Sequence, residues 1–213
     1  MTVQAVVFDF GGVFIDSPFD GVAAAARRHG LDPQELSDIV FGPYDQDTDH
    51  PWHRLERGEI SMSDARDEIV VASVADGGPE VDPFVVLADL AGGDIRDEMV
   101  AFCREVRSAG LRTGLLTNNA KEFETFWRPL LPLDELFDDV VDSSAVGLRK
   151  PDPRIYELSL SRLGVAAPDT VFIDDAPGNV AGARAVGMNA VLIGQQRADV
   201  PAALAELRSL VAL

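Results

Sequence analysis

Residues 3–13 read Val-Gln-Ala-Val-Val-Phe-Asp-Phe-Gly-Gly-Val. The run Val3–Phe8 is mostly apolar, rich in valine and too short for a helix, which is the pattern of a strand buried on both faces. Asp9 follows it, and Gly11 and Gly12 come next. A carboxylate directly after a buried strand stands at the carboxyl edge of a sheet. Glycines beside it let backbone come close to a ligand. An Asp9 that only caps a turn would leave the same letters, so the rest of the chain has to decide.

Four further runs share the pattern: Arg112–Leu116, Asp139–Val141, Thr170–Ile173 and Ala190–Ile193. Helical patterns alternate with them. Asp97–Ala109 stops at Gly110, Asp152–Leu163 at Gly164 and Asn179–Val186 at Gly187. Strands alternating with helices predict right-handed crossovers and an α/β fold, a parallel sheet covered by helices on both faces.

Residues 17–93 interrupt this alternation with helical patterns only: Phe19–His29, Pro33–Phe41, Trp52–Arg57, Ser61–Ala75 and Val81–Leu90. Asp32-Pro33 and Ser61 read as helix starts. Gly77-Gly78-Pro79 and Gly92-Gly93 punctuate. An insertion after the first strand lies over the carboxyl edge, where open α/β sheets bind ligands, and so is a candidate lid.

The other strand ends carry chemistry too. Thr117-Asn118-Asn119 follows the second strand; a hydroxyl and amides there suit phosphate oxygens, and equally an ordinary helix cap. Lys150, one of only two lysines, sits at a helix start, where the helix dipole disfavours a cation. Such a lysine either faces negative charge or is merely solvated. Asp174-Asp175 ends the fourth strand. Adjacent carboxylates repel unless a cation or hydrogen bonds offset them, and hard divalent ions such as Mg²⁺ take oxygen ligands of this kind. Alternatively Asp175 is only a helix cap. Parallel strands would bring all of these groups to one edge.

This set resembles the haloacid dehalogenase-like hydrolase superfamily over nearly the whole chain. Asp9, Thr117, Lys150 and Asp174-Asp175 are similar in order and spacing to its four motifs. Glu56-Arg57-Gly58-Glu59-Ile60-Ser61, "LTNN", "RKPDPRIY" and "FIDDAPGNVAGARAVGM" resemble the branch with sugar-1-phosphate phosphatases and the N-terminal phosphatase domain of soluble epoxide hydrolase. The resemblance implies a Rossmann-like core of residues 1–16 and 94–213, with five strands in the order 3-2-1-4-5. It also implies a helical cap of residues 17–93.

The roles that the resemblance implies are specific. Asp9 is the nucleophile that forms an aspartyl-phosphate. Mg²⁺ is held by Asp9, the Gly11 carbonyl and Asp174, with Asp175 bound directly or through water. Thr117 and the Asn118 backbone bind the phosphate of a small phosphorylated metabolite, and Lys150 offsets negative charge. Asn179 supports the carboxylate loop. Gly58 and Glu59 form a cap loop facing the site. Phe19, Tyr44, Trp52, His53 and Arg54 are cap residues that line a pocket or form core. Phe14, Ile15 and Asp16 lie on the flap after the first motif.

One position departs from the pattern. Phosphatases of the superfamily usually carry a second aspartate two residues after the nucleophile, and here that residue is Gly11. The backbone carbonyl survives the change, but the acid–base group does not. General acid–base help contributes roughly 10²–10⁴-fold. A good leaving group, an anomeric or acyl phosphate, would partly replace it. All three histidines, His29, His50 and His53, fall in the insertion, so only the cap could supply a shuttle. Two other readings stay open. Metal-independent dehalogenation also lacks the second aspartate, though it does not want the Asp174-Asp175 pair. A non-catalytic protein would need none of these groups.

Composition bounds the rest. The chain has 213 residues, 46% of them hydrophobic, and a formal net charge of -18, which argues against nucleic acid or an anionic membrane as partner. Sixteen of its basic residues are arginines, a bias from which no function is read. A single cysteine, Cys103, excludes an internal disulfide. Residues 1–16 lack the basic start of a signal peptide, and no apolar run reaches the roughly 18 residues of a membrane span. A cytoplasmic enzyme is the expectation.

Overall fold

Five parallel strands form one sheet in the order β3-β2-β1-β4-β5. They are β1 (Ala5–Phe8), β2 (Arg112–Thr117), β3 (Asp139–Asp142), β4 (Thr170–Asp174) and β5 (Asn189–Leu192). The structure is a computed structural model and describes residues 2–17, 21–75, 78–90, 93–194 and 196–213. Twelve α-helices accompany the sheet among these residues.

Register aligns the strand ends. Phe8 of β1 lies between Leu115 of β2 and Ile173 of β4, and Thr117 pairs with Asp142. The next residue, Asp9, still donates its backbone N–H to the Ile173 carbonyl at 2.9 Å. β2, β3 and β4 each run one residue beyond the expected end, because the polar residues Thr117, Asp142 and Asp174 stay in the ladder. β1 starts at Ala5 rather than Val3. β5 spans Asn189–Leu192, one residue earlier than expected at each end.

The insertion between β1 and β2 contains α1 (Val22–His29), α2 (Pro33–Phe41), α3 (Pro51–Glu56), α4 (Met62–Val74) and α5 (Pro83–Leu90), followed by α6 (Asp97–Ser108). Local chemistry sets these boundaries. Asp32 caps α2 by accepting from the Gln34 N–H at 2.8 Å, with Pro33 at the first helical position. Ser61 and Asp64 form a reciprocal capping box that starts α4 at Met62. Phe19, with the expected start of α1, lies outside the described residues, as do Gly77 and Gly92.

The rest of the chain adds α7 (Glu124–Trp127), α8 (Leu133–Leu136), α9 (Ser143–Val146), α10 (Pro153–Leu163), α11 (Pro177–Ala185) and α12 (Val200–Val211). α11 begins two residues before the expected Asn179, because Pro177 occupies its first turn. The strand alternation assigns the two faces. Val6, Phe8, Val171 and Ile173 pack with Phe102 of α6 and Leu204 and Leu207 of α12. Val7, Leu116 and Phe172 pack with Ile155 and Leu160 of α10 and Val180 of α11. The insertion has its own apolar cluster, including Leu36, Val40, Leu55 and Ile69. Ala120, from the loop after β2, joins that cluster and links insertion to sheet.

Candidate active site

Lys150 organises the carboxyl edge of the sheet. Its ammonium donates to Asp9 Oδ1 at 2.6 Å and to Asp174 Oδ2 at 2.7 Å, and its side chain is 1% exposed. It lies between strand ends rather than against the helix, since α10 starts at Pro153 with Asp152 as its cap. Asn118 holds this lysine from the backbone side. Its Oδ1 accepts the Lys150 N–H at 2.8 Å, and its Nδ2 donates to the Lys150 carbonyl at 3.0 Å. The β2 end therefore positions the β3–α10 loop. Neither Thr117 nor Asn118 caps a helix: a 3-10 turn, Lys121–Phe123, follows with Ala120 ahead of it.

The carboxylates converge. Asp9, Asp174 and Asp175 each offer an oxygen within 4.8 Å of the others, and all three residues are buried. Asp174 is fully engaged. It accepts from the Ala176 N–H at 2.8 Å, from Asn179 Nδ2 at 3.1 Å on both oxygens, and from Lys150. Asp175 does not cap α11, whose N-cap is Ala176; its Oδ2 accepts from Ser17 at 2.6 Å. Asp9 has one oxygen held by Lys150, and its Oδ2 accepts no hydrogen bond among the described residues.

One ammonium cannot offset three buried carboxylates. Burial, and then the Asp174 and Asp175 charges against the counter-pull of Lys150, push the Asp9 carboxyl up to about 8. Burial and Asp174 push Asp175 up to about 7. Lys150 moves above its ordinary value despite burial, because Asp174 and Asp9 favour its charged form. The donor set is all oxygen, crowded and short of positive charge, which fits a hard divalent cation.

Two glycines follow Asp9 and differ in kind. Gly12 has a left-handed backbone, φ 73°, and a Cβ there would overlap the Asp175 carboxylate. Gly11 does not share that conformation, so glycine at this position is not dictated by φ. Behind the loop, the fully buried Arg96 donates to the Gly12 carbonyl and to Asp16 Oδ1. That arginine holds the loop after β1, a role that the arginine-rich composition hid.

Asp9, Gly11, Thr117, Asn118, Lys150 and Asp175 border one polar cavity of about 70 Å³. Tyr44, from the segment after α2, closes it from the insertion side. Its phenol is pushed well above its ordinary value by burial and by Glu56, so it stays protonated. Gly58 and Glu59 are not brought there. Gly58, at φ 67°, packs against the Ser144 carbonyl, and Glu59 is exposed and bonded to Arg57 at 2.7 Å. His53 is buried against Thr48, Arg54 pairs with Glu68 at 2.8 Å, and Phe14 is core. His50 caps α3. Sequence reasoning missed Arg149, whose Nε donates to Glu56 Oε2 at 2.7 Å. Its place beside Lys150 was the only available signal.

Comparison with known proteins agrees with this geometry. A sequence profile described as haloacid dehalogenase-like hydrolase matches residues 3–187. A protein named phosphatase MT3486 from Mycobacterium tuberculosis is 31% identical over 99% of this chain and 98% of its own length. One named sesquiterpene phosphatase astK from Aspergillus oryzae is 29% identical over 99% and 97%. Mouse acyl-CoA dehydrogenase family member 10 is 31% identical over 92% of this chain, but the match spans only 18% of that longer protein. The structure of a predicted HAD-like hydrolase from Porphyromonas gingivalis superposes with a TM-score of 0.68 at 27% identity, over 98% of this chain and 99% of that one. Profile, relatives and fold agree, and the chain belongs to the haloacid dehalogenase-like hydrolases.

Proposed function

We infer that the protein is a Mg²⁺-dependent phosphatase acting on a small phosphorylated metabolite through an aspartyl-phosphate on Asp9. The observation that carries this reading is the Asp9 carboxylate: one oxygen is fixed by Lys150 and the other is free at a polar cavity beside Thr117. The free oxygen attacks phosphorus, the bond from phosphorus to the ester oxygen breaks, and the leaving oxygen takes a proton from water and departs as the alcohol. Water then cleaves the acyl phosphate, releasing inorganic phosphate and restoring Asp9. Lys150 offsets charge on Asp9 and on the phosphoryl group. The Thr117 hydroxyl and the Asn118 N–H hold phosphoryl oxygens. Asp9, Asp174, Asp175 and the Gly11 carbonyl would hold the cation. When bound, Mg²⁺ supplies positive charge that lets an anionic phosphate approach anionic carboxylates. Helices α1–α5, with residues 17–93, act as a cap over the core of residues 1–16 and 94–213, and Tyr44 is the cap's contribution to the site. The names of the mycobacterial and fungal relatives support phosphatase chemistry.

The test is phosphate release from an aryl phosphate, with Mg²⁺ and with EDTA, by the wild type and Asp9→Asn. The expected result is turnover that needs Mg²⁺ and disappears in the variant. Undiminished turnover by Asp9→Asn sinks the assignment of the nucleophile. Halide release from a 2-haloacid in EDTA would instead establish the dehalogenase reading.

A further inference from the structure

Beside the polar cavity lies a second of about 360 Å³, within the roughly 300–1,000 Å³ range of small-molecule sites. The two share Gly11, Tyr44, Thr117 and Asn118 as a common wall, so a group bonded to a phosphate in the first extends into the second. The second cavity is apolar. Phe41, Trp52 and Leu87 of the insertion line it together with Phe10, Phe123 and Trp127 of the core. Its one charged side chain, Glu56, and the Asn118 amide are spoken for. Glu56 is bonded through one oxygen to Trp52 Nε1 at 3.0 Å and through the other to Arg149. Asn118 clamps Lys150. A sugar entering here would bury hydroxyls against aromatic rings with few partners.

Two further observations point the same way. Phe126 and Leu130 also line this cavity and are 73% and 43% exposed, an apolar rim on an otherwise acidic protein. Gly11, where a second carboxylate would stand, is part of the wall between the cavities. Its lack of a side chain leaves the apolar lining uncharged up to the phosphate. A larger cavity, of about 550 Å³, also touches Tyr44 and Asp175, but Asp38 and Asp45 line it and would repel an anionic ester.

We propose that the substrate is a phosphate monoester of a hydrophobic, chiefly aliphatic alcohol, whose hydrocarbon part fills the cavity between the insertion and the β2–β3 connection. This rests on the phosphatase reading above and narrows it. It also sets aside the expectation of an anomeric or acyl phosphate as leaving group, because the lining offers rings where a sugar needs hydrogen-bond partners.

The chain's two tryptophans, Trp52 and Trp127, both line this cavity and provide a readout independent of turnover. Titration with n-octyl phosphonate should change the tryptophan emission and give a dissociation constant at least about 100-fold below that of methyl phosphonate. In a series of ethyl, butyl, hexyl and octyl phosphates, kcat/KM should rise by up to about fourfold per buried methylene. It should exceed that for glucose phosphates. Phe126→Glu, a change at an exposed position that folding tolerates, should cut the octyl-to-ethyl ratio at least about tenfold. Hydrolysis of ethyl and sugar esters with no gain from chain length, and no emission change with octyl phosphonate, overturns this inference and leaves the phosphatase reading intact. Octyl phosphonate binding without hydrolysis of any ester overturns the phosphatase reading and supports the cavity assignment.

Discussion

Arg149 Nε lies 2.7 Å from Glu56 Oε2, and neither side chain is appreciably exposed. The pair joins the residue next to Lys150 to the last turn of α3, and so ties the loop carrying the lysine to the insertion. Arg149 also donates to the Gln46 carbonyl at 2.7 Å, and Glu56 accepts from Trp52. Removing one member of a buried pair strands the other charge, which costs about 3–5 kcal/mol. Glu56→Ala should therefore destabilise the protein by about 3 kcal/mol in urea unfolding, while Glu56→Leu combined with Arg149→Met should recover most of that loss. A single-variant cost under about 1 kcal/mol would show that the pair does not hold the two parts together.

Lys150 makes a sharper prediction about rate. Its ammonium separates two carboxylates that would otherwise face each other without compensation. Lys150→Met should lower kcat on an aryl phosphate by about 10²–10³-fold, the scale of losing one preorganised electrostatic contact. Lys150→Arg should not rescue it, because a planar guanidinium does not fit a slot shaped around a point charge. The check is steady-state kinetics with circular dichroism to confirm folding. Activity of Lys150→Met within threefold of wild type would reject the role.

Much of this site was legible in the sequence because each group follows a short apolar run. Asp9, Thr117, Lys150 and the Asp174-Asp175 pair stand at or just after strands or in the loop beyond, and parallel register alone brings such positions to one edge. The remainder depends on packing that no local pattern encodes. Tyr44 lies in an irregular segment after α2, and only the docking of the insertion aims it at Asp9 and Lys150. Trp52 and Trp127 look like ordinary core aromatics until both are found lining one cavity. Gly58-Glu59 shows the converse case. The resemblance put this loop at the site, but the Gly58 φ of 67° and its approach to Ser144 give the glycine a packing reason instead.

Acidity should govern stability without metal. Asp9 and Asp175 are pushed up to about 8 and about 7, so the folded chain holds their protons more tightly than the unfolded chain does. Their favourable contribution is complete below the ordinary carboxylate range. It is lost as pH rises through 7 and 8. In EDTA, Tm should fall between pH 5.5 and 8.5, by roughly 2–4 °C for each kcal/mol lost in a chain of this size. Added Mg²⁺ should raise Tm more at pH 8.5 than at pH 5.5, because it binds the deprotonated carboxylates. Differential scanning fluorimetry across this range decides the matter; a Tm in EDTA independent of pH, or a Mg²⁺ effect larger at low pH, contradicts the charge balance described for the cluster.

Gly11 supplies the last prediction. No left-handed φ requires glycine there, unlike at Gly12, so backbone conformation does not bar a side chain at this position. Without a carboxylic acid at this point, a departing alkoxide takes its proton from water, which slows alkyl esters of every chain length alike and leaves their ratio to the apolar cavity. The wild-type rate should therefore depend steeply on how well the leaving group bears negative charge. Across substituted phenyl phosphates, kcat/KM should fall by several powers of ten as the phenol becomes less acidic. Gly11→Asp places a carboxyl beside the nucleophile and should flatten that dependence, raising turnover of the poorest leaving groups by roughly 10²-fold. The same substitution puts a charge into the wall shared with the apolar cavity, so turnover of octyl phosphate relative to ethyl phosphate should fall as acid catalysis is gained. Equal slopes for wild type and variant would mean that the proton already comes from elsewhere. Tyr44 would then be the group to replace next, because it is the protonated side chain that the insertion contributes to the polar cavity.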